Sequence, residues 1–239
     1  MTLAEILASL FPDGHDVTVK DGLVSGTGPL AGSSRITVLG IDGDTPLGVD
    51  GALQLSRSVL DAIRAGDRAP ILVAVDSDSQ RMSRRDELLG LNECLAHLAK
   101  ALLLADRSGH PTIGLIYGHS AAGAFIATAL ATRILAALPG ANPSVMDLPS
   151  VARVTKLPLD KLQEMAKSTP VFAPGLDNMV AAGAVHVVLD PGKPLDGQIR
   201  DLIAVTEPGD VRDRLGAERG GRPVAREVAE AVIDQARRG

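Results

Sequence analysis

Residues 112–131, TIGLIYGHSAAGAFIATALA, carry the residue types and spacing best suited to chemistry. An apolar run meets the Gly-His-Ser sequence at 118–120 and passes through small residues into a helix-forming run, which predicts strand, tight turn and helix. Because Ala122 and Gly123 have almost no side chain, the first backbone N–H groups of that helix can approach a ligand oxygen closely. The pattern therefore predicts a turn that stabilises negative charge.

Two chemistries use such a turn. In a nucleophile elbow, G-x-S-x-G, Ser120 would attack an acyl carbonyl while a histidine took its proton. In an enolate-forming site the N–H groups hold a thioester or carboxylate oxygen, and no nucleophile is needed. Ala122 stands where the elbow has its last glycine, and the histidine that follows Ser120, His186, lies in an expected buried strand. The pattern favours enolate formation and keeps a serine hydrolase as the alternative.

The elements around this turn alternate between apolar strands and helices. Apolar strands are predicted at 36–41, 70–76, 112–117 and 133–138, and helices at 49–65 and 87–106. This alternation predicts parallel strands with helical crossovers, whose ligand sites lie at the carboxyl ends of the strands. The polar loop at 76–87 follows such an end. The expected apolar helix faces are Leu53, Ser56, Leu60 and Ile63 in the first helix, and Leu88, Leu91, Leu95, Leu98 and Leu102 in the second.

The ends of the chain carry weaker patterns. Residues 1–12 predict an amphipathic helix, and 15–35 predict short antiparallel strands. We expect one domain over 1–239, with 1–35 as its N-terminal portion and 206–239 as a C-terminal helical portion. Further helices are predicted at 157–168, 172–182, 198–205 and 224–238, and a strand at 185–190.

Composition argues against several classes of protein. Aromatic residues make up 2% of the 239 residues and the net charge is −5, so neither a stacking surface nor a basic patch for nucleic acid is expected. The single cysteine, Cys94, excludes a disulfide framework within the chain and a cysteine-based metal site. No signal peptide and no run of ~20 apolar residues is found. We expect a cytoplasmic protein that binds neither nucleic acid nor membrane.

Four stretches together resemble the crotonase superfamily, and within it the carboxyltransferase branch. They are GHSAAGAFIA, DSDSQRMSRRDELLG with Glu87 and Gly90 in register, LPGANPSVMD and AAGAVHVVLDPGKP. Over about residues 30–205 the chain is most similar to the gamma-subunit family of biotin-independent malonate decarboxylase. It departs from the wider branch in two places. The loop at 77–83 lacks a Pro-Gly-Phe pattern, and Ala122 stands where glycine is frequent.

The resemblance implies an α/β fold of the ClpP/crotonase type, built from repeated ββα units. It also implies a subunit that acts with a homologous beta subunit to decarboxylate malonyl-S-acyl-carrier protein to the acetyl form. The site residues implied are the backbone of Ala122 and Gly123 as oxyanion hole, Ser120 and His119 as nearby polar groups, and Gln80, Arg81 and Gly118 as substrate contacts.

The resemblance also implies the cofactors and partners. The substrate would travel on the phosphopantetheine-type arm, derived from dephospho-coenzyme A, of an acyl-carrier protein. Acyl-transferase subunits would complete the complex, while the chain itself would hold no cofactor, no metal and no biotin. A chain that merely scaffolds its homologue, without taking part in catalysis, is the second alternative.

Overall fold

The computed structural model describes residues 1–30, 33–170, 173–204, 209–222 and 224–238. These residues form two compact units, the first from Met1–Val145 with Val187–Thr206 and the second from Met146–His186 with Glu207–Gly239. All the predicted site residues lie in the first unit. The expectation of one domain over 1–239 stays a prediction.

The helices and strands follow the alternation predicted from the apolar runs. The helices are α1 Leu3–Leu10, α2 Val49–Ala65, α3 Arg84–Leu88, α4 Leu91–Arg107, α5 Ala122–Ala127, α6 Leu148–Thr155, α7 Leu159–Ser168, α8 Leu176–Ala181, α9 Leu195–Ala204, α10 Arg212–Glu218 and α11 Ala225–Arg238. The strands are β1 Thr18–Lys20, β2 Leu23–Leu30, β3 Ser33–Ile41, β4 Ile71–Ser77, β5 Thr112–Ala121, β6 Ile134–Ala137, β7 Asn142–Ser144 and β8 Val187–Val188.

One mixed sheet organises the first unit. Its order is β1-β2-β3-β4-β5-β6-β8, with β7 beside the end of β5. The pairs β1–β2 and β2–β3 are antiparallel, as the N-terminal pattern predicted, and the strands from β3 onward pair in parallel. Parallel pairing of β3, β4 and β5 brings their carboxyl ends to the same edge of the sheet.

Both faces of the sheet are covered, so its central strands are apolar throughout. Leu72, Leu115 and Tyr117 pack on one face in a cluster with α1 and α9. Because side chains alternate along a strand, Val73 and Ile116 point to the opposite face, and both are fully buried. The sheet thereby holds the ends of β4 and β5 rigidly in place.

The prediction of one helix over 87–106 is wrong. Two helices lie there, and Gly90 between them has φ 76°, a left-handed conformation that interrupts the α-helix. Leu88 therefore lies on the first, short helix and is 76% exposed, whereas the rest of the predicted apolar face, Leu91, Leu95, Leu98 and Leu102, is buried on α4.

Helix α2 has the predicted bounds but a different buried face. Leu53 is 46% exposed, and the face that packs inward is Val49, Ala52, Leu55, Ser56, Val59 and Ala62. Ser56 is one of the four predicted positions and is buried. Its hydroxyl donates a hydrogen bond to the carbonyl of Ala52, one helical turn earlier, at 2.7 Å. The buried face of α2 is therefore rotated about the helix axis relative to the predicted face, and the two share only Ser56.

The second unit is helical within the residues that the structure describes. It contains α6, α7, α8, α10 and α11, of which α6 and α10 had no predicted counterpart. The predicted helix at 172–182 is found at Leu176–Ala181, while its first residue, 172, lies outside the described residues, as does residue 205 of the helix predicted at 198–205. His186 precedes the two-residue strand β8 and is not part of it.

Among the described helices, none is both long enough and apolar enough to cross a membrane.

Candidate active site at the carboxyl ends of β4 and β5

A bulge in β5 shapes the site. Val75 of β4 pairs with Ile116, but the next paired residue, Ser77, lies opposite Ser120. Three residues of β5, 117–119, therefore lie opposite the single residue Asp76 of β4. The two additional residues cannot pair with β4, so β5 bulges away from it here. The carboxylate of Asp76 fills the resulting space, where its Oδ1 accepts the N–H of His119 at 2.8 Å.

Gly118 is required by this arrangement. A Cβ at this position would collide with the carboxylate of Asp76. The other oxygen of that carboxylate accepts the N–H of Asp44 at 3.2 Å. Asp76 thus fixes the backbone at two strand ends, and the glycine makes room for it. The prediction that Gly118 contacts substrate is untested by this geometry.

The amide predicted to hold substrate oxygen has a partner in this structure. The N–H of Gly123 donates to Oε1 of Gln80 at 2.7 Å. The two residues are 43 positions apart in the chain, and a Cβ on Gly123 would lie 2.9 Å from that oxygen. The structure thus brings Gln80 and Gly123 together, and an sp² oxygen already occupies the acceptor position at this N–H.

Ala122 has an uncommon backbone conformation. Its φ is 49°, in the left-handed region where a non-glycine residue is disfavoured by about 1–2 kcal/mol. Ala122 directly follows β5 and is the first residue of α5, so the change from strand to helix occurs at this residue. The turn presents the N–H of Gly123 toward the loop that carries Gln80.

His119 belongs to a small polar cluster. Its Nδ1 lies 3.1 Å from Oδ1 of Asp44 and 3.9 Å from Oδ1 of Asp78. One oxygen or nitrogen from each of the three residues lies within 4.8 Å of the others, a spacing that a divalent cation could bridge. The direct contact between His119 and Asp44 accounts for the spacing without an ion. His119 is thus held beside the turn by carboxylates rather than by Ser120.

Ser120 has the geometry of a structural residue. Its side chain is fully buried, and its hydroxyl donates to the carbonyl of Val75 at 3.4 Å. Two other histidine rings of the first unit, those of His15 and His110, make hydrogen bonds to the backbone. His110 contacts the carbonyl of Ala69, and His15 accepts from Val17. Within the described part of this unit, Ser120 therefore has no histidine positioned to activate it.

Arg81 is engaged by a buried carboxylate. Its Nε and Nη2 donate to the two oxygens of Asp86 at 2.7 and 2.9 Å, and Asp86 is fully buried. Asp86 also accepts the hydroxyl of Ser83 and, at 2.9 Å, the N–H of Val49 at the start of α2. Hydrogen bonding from Arg81 first, and then from Ser83 and Val49, holds the pKa of Asp86 well below its usual range.

A cavity of about 460 Å³ adjoins Gly118. Asp42, Asp76 and Tyr117 line it together with residues 1–4. The hydroxyl of Tyr117 donates to Oδ1 of Asp42 at 2.7 Å. Burial first, and then the contact with Asp42, raises the pKa of Tyr117, so it remains a neutral hydrogen-bond donor.

Sequence patterns missed three carboxylates of this region. Asp44 follows the end of β3 and Asp76 lies at the end of β4. Their position at the carboxyl ends of strands was the signal that could have identified them as site residues. Asp86 stands three residues after Ser83, the spacing of a helix cap, and its N–H indeed donates to the Ser83 hydroxyl at 3.1 Å. Spacing could not show that each of them binds a segment more than 30 residues away.

The site can now be compared with known proteins. A sequence model of the family described as MdcE, malonate decarboxylase gamma subunit, matches residues 43–236. The malonyl-S-ACP:biotin-protein carboxyltransferase MADD of Malonomonas rubra is 29% identical over 212 residues, which cover 79% of this chain and 71% of that protein. Both matches span the bulged turn and the Gln80 loop.

Solved structures agree over nearly the full length. A Pseudomonas malonate decarboxylase hetero-tetramer in complex with coenzyme A contains a chain that is 26% identical, with a TM-score of 0.76, covering 98% of this chain and 97% of that one. A Pseudomonas MdcD–MdcE hetero-dimer matches with the same TM-score at 24% identity, covering 97% and 98%. The crotonase-like α/β fold expected from the sequence is confirmed.

Proposed function

Since this chain belongs to the malonate decarboxylase gamma subunit family, we propose that it pairs with a homologous beta subunit and that the pair decarboxylates malonyl-S-acyl-carrier protein to acetyl-S-acyl-carrier protein. Two solved relatives support the pairing, since one is a Pseudomonas malonate decarboxylase hetero-tetramer and the other an MdcD–MdcE hetero-dimer. The acyl-carrier protein and acyl-transferase subunits complete the proposed complex.

The observation that carries the chemistry is the contact between Gln80 and Gly123. The amide oxygen of Gln80 accepts the N–H of Gly123 at 2.7 Å, within the range of a good N–H···O hydrogen bond. A thioester oxygen is an acceptor of the same geometry, so it can replace the Gln80 oxygen at this N–H. The free carboxamide would then turn its Nε2 donors toward the bound acyl group.

Decarboxylation needs such donors because of where its charge develops. When the bond between the carboxylate carbon and the central carbon breaks, its electrons form an enolate and the thioester oxygen becomes negative. Carbon dioxide leaves, and the central carbon then takes a proton. N–H groups fixed in advance at that oxygen stabilise the transition state more than the ground state, and no covalent intermediate is formed.

The proposed roles extend the sequence predictions. The backbone N–H groups of Ala122 and Gly123 hold the enolate oxygen, and Gln80 contacts the acyl group beside them. Arg81, which is bound to Asp86 in this structure, acts by holding the Gln80 loop. The remaining residues predicted for this site, Ser120, His119 and Gly118, support the turn.

We further propose that the acyl group arrives on the phosphopantetheine-type arm, derived from dephospho-coenzyme A, of the carrier protein, with no cofactor or biotin held by this chain. The coenzyme A in the Pseudomonas hetero-tetramer supports a site for such an arm in this family. A second candidate function is carboxyl transfer to a biotin protein, favoured by the Malonomonas rubra relative, a malonyl-S-ACP:biotin-protein carboxyltransferase. The two share the enolate and differ in the fate of the carboxyl group.

Reconstitution separates these possibilities. The chain is combined with a homologous beta subunit and supplied with malonyl-S-acyl-carrier protein, with or without a biotin carrier protein. We expect acetyl-S-acyl-carrier protein and free carbon dioxide without the biotin protein. Product that forms only when the biotin protein is added, with the carboxyl group on biotin, would favour the second candidate.

Ser120→Ala tests the hydrolase alternative in the same assay. A buried hydroxyl that makes one long hydrogen bond contributes about 0.5–1.5 kcal/mol, so we expect a loss of at most about tenfold. A nucleophile would lose about 10⁴-fold or more on this substitution. Stoichiometric labelling of Ser120 by a serine-directed acylating probe, seen by mass spectrometry, would support the hydrolase instead.

A further inference from the structure

Asp86 is the fully buried carboxylate that the proposed chemistry does not use. It lies on α3 and accepts hydrogen bonds from the guanidinium of Arg81, the hydroxyl of Ser83 and the N–H of Val49. A buried charge is costly unless it is fully hydrogen-bonded, and this one is satisfied by groups from the loop before α3 and from the start of α2. Its contacts therefore fix those segments relative to one another.

These two segments meet at Gln80. Leu47 pairs with Gln80 through a short parallel bridge, in which the N–H of Leu47 donates to Ser79 at 2.9 Å and the N–H of Arg81 donates to Leu47 at 2.8 Å. Asp86 binds the residue that follows Gln80 on one side of this bridge. On the other side it binds Val49, two residues beyond Leu47.

The fit around Arg81 is close. Gly48 lies between Leu47 and Val49, and a Cβ there would collide with the guanidinium of Arg81. A planar guanidinium that makes two parallel hydrogen bonds to one carboxylate has its position and its plane fixed. Arg85 donates to the exposed Asp50 at 2.7 Å and lies 3.8 Å from Oδ1 of Asp86, so the hydrogen bonds to Asp86 from an arginine come from Arg81.

We propose that Asp86 is a positioning residue of this site, which through Arg81 and Val49 clamps the bridge at Gln80 and so holds the Gln80 loop beside the N–H of Gly123, where the Gln80 carboxamide reaches the bound acyl group. This inference rests on the proposed function for the reaction that Gln80 assists. The geometric part, from Asp86 to the N–H of Gly123, depends only on the contacts described.

Asp86→Asn is the first variant. Asparagine keeps the size of the side chain and an oxygen for the N–H of Val49 and Nη2 of Arg81, but its NH₂ group faces Nε of Arg81 and cannot accept from it, so the paired hydrogen bonds are broken. Release of the loop misplaces Gln80, and a misplacement of about 1 Å at a site can cost about 10²-fold in rate. We expect kcat to fall by about 10- to 100-fold while KM changes by less than about threefold.

Two further variants control for the fold and for charge. Asp50→Asn removes a carboxylate of the same cluster that pairs with Arg85 and lies 3.8 Å from Arg81, and it should leave kcat within about twofold. Arg81→Lys breaks the other end of the paired hydrogen bonds while retaining the positive charge. It should reproduce the loss of Asp86→Asn, and it decides the question if Asp86→Asn does not fold.

A double-mutant cycle distinguishes positioning from general destabilisation. If Asp86 acts through Gln80, then Asp86→Asn should cost about 10- to 100-fold in kcat in the native complex and less than about threefold in the Gln80→Ala background. Equal losses in both backgrounds would overturn the inference. So would a native rate in Asp86→Asn or, where that variant does not fold, in Arg81→Lys.

Hydrogen exchange on the assembled complex gives a readout independent of catalysis. Asp86→Asn, or Arg81→Lys in its place, should accelerate exchange in peptides covering residues 79–82 and at the N–H of Gly123, and Asp50→Asn should not. Unchanged exchange at both places would overturn the inference even if the rate fell. If the native complex proves unable to decarboxylate malonyl thioesters, the proposed function fails, and exchange alone decides whether Asp86 clamps the loop.

Discussion

Replacing Gly123 with alanine tests the amide site with the smallest available change. A Cβ built on Gly123 lies 2.9 Å from Oε1 of Gln80 and 3.2 Å from Cδ1 of Leu95. The flexible Gln80 side chain can move away, but Leu95 belongs to α4 and is 7% exposed, so it is held in place by packing. The added methyl group therefore occupies the space through which any oxygen must approach this N–H.

The expected effect on stability is small because two terms oppose each other. Alanine stabilises a helical position by roughly 0.5–1 kcal/mol relative to glycine. Loss of the hydrogen bond between Gly123 and Gln80 costs roughly 0.5–1.5 kcal/mol. The free energy of unfolding should thus change by no more than about 1 kcal/mol. Loss of one donor to an oxyanion costs about 10²–10³ in rate, so activity should fall by that factor.

The assay is steady-state decarboxylation by the reconstituted complex, with urea unfolding of the same preparation. Gly197→Ala is the matched control, since Gly197 lies in α9, and a Cβ there would be 3.6 Å from Arg200 and otherwise unobstructed. It should raise stability and leave the rate unchanged. A folded, correctly paired Gly123→Ala complex with kcat/KM within threefold of native would refute the role of this amide and favour a scaffolding chain.

Three further outcomes are expected. The chain purified alone should not turn over malonyl thioesters, and robust decarboxylation without the beta subunit would contradict the pairing. Asp147→Ala, which removes the hydrogen bond to the N–H of Ser150 at the start of α6, should lower stability in the second unit by about 0.5–2 kcal/mol, measured by exchange within Leu148–Thr155. Because the pKa of Asp86 is lowered in the folded chain, its contribution to stability is present above the ordinary value of 3.8 and is lost as the pH falls toward the folded value. The difference in free energy of unfolding between native chain and Asp86→Asn should therefore shrink between pH 5 and pH 2, and a difference that grows on acidification would contradict this.

Local patterns were sufficient where a local cause set the structure. Helix α2 ends where predicted because Gly66 adopts φ 72° and closes it. The apolar runs at β4 and β5 became buried parallel strands because both faces of the sheet are covered. The prediction of one helix over 87–106 failed because the regular spacing of leucines continues across Gly90. The spacing does not show that this glycine adopts a left-handed conformation, which ends one helix and begins another.

The site depended on contacts that spacing does not encode. The sequence pattern selected the turn at Ala122 and the loop at Gln80 as candidates, but the hydrogen bond that joins the loop to Gly123 links positions far apart in the chain. The arginine and acidic residues around Asp86 suit a solvated loop as well as a binding site. Burial decides between the two, and burial depends on the packing of α2 against the loop.

The two edges of the sheet have a consequence for how this protein meets other chains. One edge is β1, three exposed residues that include Lys20, and the other is β8, two residues long. Short edges and a charged side chain discourage the backbone pairing through which sheets join into larger sheets or fibrils. Strand addition is thus a poor route to assembly for this chain, and its partners have to recognise side chains on helices and loops, where selection between similar partners is easier.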